Sequence, residues 1–257
     1  MLPPTEHSEA HGSGVRAGAR YLIRGLRLAK DPDILPYFLV PLFINMLIFG
    51  SLMYWSLGLF NEWIGQLLAW VPNWLSWLEW VLWPLLLLMM VLVVFYTFTL
   101  AANMVASPFN GLLAEKVAAK LRRTNATQGE SLLLLLQSIP GSLLREIRKL
   151  LYFIPIGIVV WLISAFTPLA VVAPLLWFLF TAWTLALEYC DYQADNDQVS
   201  FSAMRSATRE QKSTALGFGA AVAVGTMIPI LNLLVMPAAV CGATLLWIER
   251  FYRPSGG

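Results

Sequence analysis

Four stretches of this chain carry no Asp, Glu, Lys or Arg at all: residues 34–61, 80–114, 150–187 and 213–248. Each is longer than the roughly 20 apolar residues that a helix needs to cross a bilayer. A water-soluble fold of 257 residues cannot hide that much apolar side chain, because a domain of this size still exposes a large surface. Residues are 58% hydrophobic and only 12% charged, against about 25% charged in ordinary soluble domains. The sequence therefore reads as an all-α, polytopic integral membrane protein. Two cysteines cannot make a disulfide framework, and 13% aromatic residues exclude a disordered chain. A net charge of +2 offers no nucleic-acid surface.

The four runs differ in kind. Pro36 and Pro41 lie near the entry of the first, and Pro84 and Pro108 bracket the second, so 34–57 and 85–107 read as full spans. The other two carry helix breakers near their middle: Thr167-Pro168 with Pro174, and Pro229 with Asn232. Halves of about 16 residues reach about 24 Å as helix, short of a hydrocarbon core of about 30 Å. Segments 150–187 and 213–248 therefore read as two short helical hairpins, half-spanning or re-entrant. Their tips are expected at a protein interior or a water-filled path. The first run is too long, and starts too late, for a cleavable signal. Residues 1–15 read as a polar, disordered tail, 110–149 as a cytoplasmic helical segment with amphipathic helices, and 1–257 as a single membrane domain.

Basic residues gather before the first run, between Lys116 and Lys149, between Glu188 and Lys212, and in the tail; segment 62–79 has none. Two spans and two hairpins put all the basic segments on one side, and the positive-inside rule makes that side the cytoplasm, with both termini there. The stretch 55–83 contains Trp55, Trp63, Trp70, Trp74, Trp77, Trp80 and Trp83. Indoles favour the headgroup level, so a belt and a short interfacial helix is the leading reading and a substrate-binding aromatic box the alternative.

Chemistry-bearing residues are sparse. His7 and His11 are in the tail, and no HExxH, GxSxG or phosphate-loop motif occurs. Cys190 and Cys241 read as reduced, packed thiols. The cluster Glu188, Asp191, Asp195 and Asp197 matches no calcium loop and reads as a solvated loop, not a metal site. No metal and no cofactor is expected. Neutral amides remain: Asn45 in the first span, Asn103 in the second and Asn232 at a hairpin tip. An amide in hydrocarbon needs partners, so these bridge helices or line a hydrated path. In Ser107-Pro108-Phe109-Asn110-Gly111-Leu112-Leu113-Ala114-Glu115-Lys116, a helix is expected to end near Ser107 and a new one to start at Asn110 or Gly111, since Asn caps well and Pro108 breaks what precedes it. Leu113, Val117 and Leu121 would form its apolar face, and Lys116, Lys120 and Arg123 its basic one. A helix start offers free N–H groups to an anion, though every helix has one.

This segment resembles the signature of the CysZ-type sulfate permease family of bacterial inner membranes. So do Leu39-Val40-Pro41-Leu42 with Asn45, Tyr189-Cys190-Asp191-Tyr192 with Asp195-Asn196, Met227-Ile228-Pro229-Ile230-Leu231-Asn232-Leu233, and Met236-Pro237-Ala238-Ala239-Val240-Cys241-Gly242-Ala243-Thr244. The similarity spans about residues 13–252. It implies sulfate uptake into the cytoplasm for cysteine biosynthesis, without ATP hydrolysis, with sulfite or related oxyanions as further candidates. It also implies an even-numbered homo-oligomer such as a hexamer. The family's sulfate cradle falls on Asn110, Gly111, Leu112 and Leu113, with Glu115 closing the motif. Many members have an arginine pair where this chain has Leu35-Pro36. Arg24 and Arg27 are the nearest substitutes. Where many members have proline and histidine, this chain has Gln193 and Asp197. A non-transporting membrane scaffold or interaction protein is the alternative class, and an intramembrane enzyme lacks catalytic groups.

Overall fold

The computed structural model describes residues 14–70, 72, 77–124, 132–166 and 171–252. Its regular elements are helices: α1 (Val15–Ala29), α2 (Leu35–Ala69), α3 (Glu79–Arg122), α4 (Leu132–Phe166), α5 (Ala173–Asn196), α6 (Phe201–Glu210), α7 (Lys212–Thr226) and α8 (Pro229–Leu246), followed by a π-helical turn, Trp247–Phe251. Two compact units form: Met1–Pro36 with Asn110–Gly257, and Tyr37–Phe109.

In the larger unit the core is built by α1, α5, α7 and α8, with α4 and α6 packed on α5. Helix α1 buries Ala17, Gly18, Tyr21, Gly25 and Ala29, four small residues and one large ring spaced to line one helical face. They let its backbone reach the α7–α8 pair: a Cβ on Gly25 would lie 2.1 Å from the Ala238 carbonyl oxygen, and one on Gly18 2.0 Å from that of Thr214. Gly217 and Gly242 receive α1 from the other side. Lipid tails are as apolar as leucine, so helices in a bilayer are held by such close packing rather than by expulsion of water. Helix α5 starts with Pro174 in its first turn, where its missing N–H costs nothing. Ser200 caps α6 by accepting from the Ala203 N–H. Met227 and Ile228 turn α7 into α8, and Pro229 opens α8. The segments expected as hairpins fall on α4 with α5 and on α7 with α8. Leu144–Ala165 and Ala173–Asn196 are each long and apolar enough to cross a bilayer, as is Leu234–Phe251; α7 has 15 residues, about 22 Å.

In the smaller unit, α2 and α3 run antiparallel through edge-on ring pairs, Phe49 with Phe98 and Phe60 with Trp83. Ile64 and Val94 are buried, whereas Phe43, Met46, Leu47, Leu88, Val93 and Phe95 point outward. An apolar exterior of that extent matches lipid, not water. The stretches Leu35–Gln66 and Trp80–Phe98 qualify as spans. Trp55, Trp63, Trp70, Trp77, Trp80 and Trp83 are exposed; Trp74 lies outside the described residues.

Two expectations are corrected. Helix α3 does not end near Ser107 and restart at Asn110: it runs unbroken from Glu79 to Arg122. The buried face Leu113, Ala114, Val117 and Ala118 continues the helix, and packing overrides the local breaking tendency of Pro108. Nor is the acidic cluster a solvated loop. Glu188, Asp191 and Asp195 lie on α5, and Asp191 is 4% exposed. Segment 110–149 is helical at both ends, but as the tail of α3 and the head of α4. Of the expected tail, residues 1–15, residues 1–13 lie outside the described residues, and Val15 already opens α1.

Candidate functional site

Within the larger unit, the Asn110–Lys116 segment of α3 lies against α5. Asn110 Nδ2 donates to the Tyr192 hydroxyl at 3.3 Å, and Asn196 Nδ2 donates to the Gly111 carbonyl at 2.9 Å. Tyr192 and Asn196 are one helical turn apart on α5, so two motifs distant in sequence meet as one side-chain ladder. Leu113 is buried, whereas Leu112 and Glu115 are partly exposed. A Cβ on Gly111 would meet nothing within 4 Å, so packing does not demand glycine there. In an unbroken helix the N–H groups of Gly111, Leu112 and Leu113 are occupied by carbonyls four residues earlier. The free N–H groups expected of a helix start are therefore absent from this conformation.

A charge cluster sits where α4 meets α5. Arg145 Nε lies 3.0 and 3.1 Å from the two carboxylate oxygens of Asp191, its Nη2 lies 2.6 Å from Oδ1, and its Nη1 donates to the Val199 carbonyl at 2.8 Å. Arg145 also pairs with Asp195 at 3.0 Å. Lys149, 6% exposed, lies 2.6 Å from Glu146 and 3.3 Å from both Glu188 and Asp191. Buried charges persist only when matched in this way. The signal was present as Arg145 and Lys149 four apart, facing Glu188, Asp191 and Asp195 at i, i+3 and i+7. Among the described residues no His, Cys, Asp and Glu group could hold a metal ion; here the carboxylates are taken by cations.

On α1, Arg24 is bidentate to Glu249 at 2.6 and 2.8 Å, and Tyr21 donates to the same carboxylate at 2.9 Å. Burial raises the Tyr21 phenol above its ordinary value, and the Glu249 hydrogen bond holds Arg24 more firmly charged. The expected anion clamp at Arg24 is thus corrected: both guanidinium nitrogens in its fork are already on a carboxylate. Arg27 is exposed on another face of α1 and also has interactions of its own. Lys120 donates to Asp31 and Asp33, which lowers the Asp31 carboxyl below the usual range. Arg122 is bidentate to Asp197 at 2.7 and 2.8 Å, and Trp247 Nε1 donates to that carboxylate at 2.9 Å.

Of the amides, Asn45 belongs to the smaller unit, where its Oδ1 is buried and has no hydrogen-bond partner among the described residues. Asn232 is partly exposed in the first turn of α8. Asn103 lies in α3, its side chain outside the described residues. Cys190 and Cys241 are buried free thiols.

The family described as sulfate transporter CysZ/etoposide-induced protein 2.4 matches residues 21–237. A protein of Pectobacterium atrosepticum named sulfate transporter CysZ is 42% identical over 254 residues, covering 97% of this chain and 92% of that protein.

Proposed function

Because the chain belongs to the sulfate transporter CysZ/etoposide-induced protein 2.4 family, we propose that it moves sulfate across a bilayer without ATP hydrolysis or a cofactor. The observation that carries this reading is 42% identity, over 97% of the chain, to a protein that bears the name of a sulfate transporter. The helices long and apolar enough for spans support it. The membrane is the bacterial inner membrane, the termini are cytoplasmic, and sulfate, with sulfite as a related oxyanion, enters to supply cysteine biosynthesis. The transporting unit is an even-numbered homo-oligomer, a hexamer in the form the resemblance implies. In this scheme the apolar parts of α2 and α3 are the full spans, and α4–α5 and α7–α8 are the hairpins.

Sulfate is a dianion, and stripping its water in a low-dielectric site is costly unless N–H groups and cations replace it. We place its site at Asn110, Gly111, Leu112 and Leu113 in a second conformation, in which α3 parts at Pro108. Three features support this placement. Pro108 brings no N–H, so that turn of α3 lacks one hydrogen bond. The open side of Gly111 leaves room for a ligand against the backbone. Asn110 is a good cap for the restarted helix. Arg27 is assigned as the cationic donor in place of the arginine pair absent at Leu35-Pro36. Glu115 closes the motif, and Asn45, Asn103 and Asn232 line the onward path.

The membrane potential opposes sulfate entry by about 2.3 kcal/mol per charge per 100 mV, so net uptake draws on a chemical gradient, a coupled proton or metabolic consumption. Flux of radiolabelled sulfate into sealed liposomes of the purified protein tests the reading. Saturable uptake above that of protein-free vesicles is expected; its absence, with the protein inserted and folded, overturns it.

A further inference from the structure

We propose that the outward face of α1 is a docking surface for anionic phospholipid headgroups. The helix is committed on one side, where Ala17, Gly18, Tyr21, Gly25 and Ala29 face α7 and α8. That packing fixes what the opposite side presents: Arg16, Arg20, Ile23, Arg27 and Lys30, all exposed and recurring every three or four residues, so that they form one stripe. From Arg16 to Lys30 the stripe runs about 21 Å, enough to meet several headgroups. No Asp or Glu occurs between Gly14 and Lys30. Arg24, off the stripe, answers Glu249. Asp31, the first acidic residue beyond it, is held by Lys120.

Two further observations select the occupant. Apolar side chains accompany the cations: Ile23, within the stripe, is 54% exposed, and Val15, one residue ahead of Arg16, is 58% exposed. A free anion such as sulfate or phosphate would satisfy arginines but give nothing to valine or isoleucine. The boundary of a bilayer satisfies both, because aliphatic groups dip toward the acyl region while the cations stay with phosphates. The stripe also ends five residues before Leu35, where the candidate span Leu35–Gln66 begins. Five residues reach at most about 18 Å, so the cations are tethered beside the headgroup layer into which that span leads. Basic residues so placed attract anionic lipid by about 1 kcal/mol each. Arg27 is the one residue of the stripe that is also assigned to sulfate, and it is left unchanged in every variant below.

The test places an environment-sensitive fluorophore at Ile23→Cys; the native thiols, Cys190 and Cys241, are buried and leave the label at the new site. The full-length protein is reconstituted in phosphatidylcholine vesicles containing increasing fractions of phosphatidylglycerol. The label is expected to shift to shorter wavelength and to be shielded from aqueous iodide as the anionic fraction rises, and high salt is expected to reverse this. In Arg16→Gln/Arg20→Gln/Lys30→Gln the association falls about a hundredfold by the per-charge value above, so shielding disappears at every lipid composition. In Arg16→Lys/Arg20→Lys it is retained, which separates lost charge from lost fold. Equal shielding in phosphatidylcholine alone overturns the proposal, as does shielding unchanged by the triple substitution. So does the same spectral change produced in phosphatidylcholine vesicles by millimolar inorganic sulfate or phosphate, which would assign the stripe to a free anion.

Discussion

Replacing Asp191 by asparagine should destabilise the protein far more than loss of one hydrogen bond would. Asn fills the same space and keeps one acceptor, but it removes the carboxylate that faces Arg145 at 2.6 Å and Lys149 at 3.3 Å. The buried part of the cluster then holds two cations against Glu188 alone, with Asp195 and Glu146 contributing from exposed positions, 49% and 53%. Breaking a buried pair by removing one partner costs about 3–5 kcal/mol. The two rim carboxylates and the retained acceptor offset part of this, which favours the lower end, about 3 kcal/mol. At about 2–4 °C per kcal/mol for a domain of this size, the melting midpoint in mild detergent should fall by about 6–12 °C. A double-mutant cycle gives the decisive number. If Arg145 is destabilising mainly because it is stranded, Arg145→Gln/Asp191→Asn should recover at least half of the summed single losses. Additive single effects, or a drop of less than about 2 °C for Asp191→Asn, would refute the view that charge pairing holds α4 to α5.

Gly25→Ala should cost about 1–3 kcal/mol or more, because its Cβ would meet a backbone oxygen that cannot swing aside; Gly111→Ala, meeting nothing and lying inside α3, should raise the melting midpoint by about 1–4 °C, the gain of about 0.5–1 kcal/mol for removing an interior helix glycine. Pro108→Ala should stabilise α3, since an interior proline costs about 3 kcal/mol, and should lower sulfate affinity about tenfold or more by holding the helix shut; calorimetry at fixed salt reads both affinity and fold. Because the folded Asp31 carboxyl is lowered by its hydrogen bond from Lys120, its stabilisation is present above the unfolded value of about 3.9 and is lost as pH falls through the lower folded value. Lys120→Ala should therefore reduce stability by at most about 1 kcal/mol near neutral pH, as for exposed pairs, and wild type and variant should converge under strong acid.

The all-helical, membrane-spanning class of the protein was legible because uninterrupted apolar runs leave a chain few places to go. What failed were inferences in which a local tendency met a distant neighbour. Pro108, Asn110 and Gly111 favour a break when read alone, yet Leu113 and Val117 are buried on a face that continues the helix. A single glutamate just inside the last charge belt gave no hint that it would take Arg24, because Glu249 lies 225 residues away in sequence. The acidic cluster on α5 reads as solvated for the same reason: charge alone does not disclose that Arg145 and Lys149 stand opposite. The pairing of Asn110 with Tyr192 and of Gly111 with Asn196 joins motifs that each looked self-contained.

The seating of α1 against α7 and α8 also sets a schedule. The Gly14 N–H finds its acceptor, the Thr214 hydroxyl, 200 residues later in the chain. At about 5–20 residues per second, a ribosome needs about 10–40 s to make that distance. Throughout that interval the first helix exists without the surface that its glycines are cut to fit. A helix of 15 residues is marginal by itself in water, so during synthesis it must either stay unwound or wait somewhere that tolerates its cations and its bare backbone. The last helices to be made therefore complete the first, and a chain stalled before residue 212 would leave its amino-terminal segment exposed to proteases however well the intervening spans had inserted.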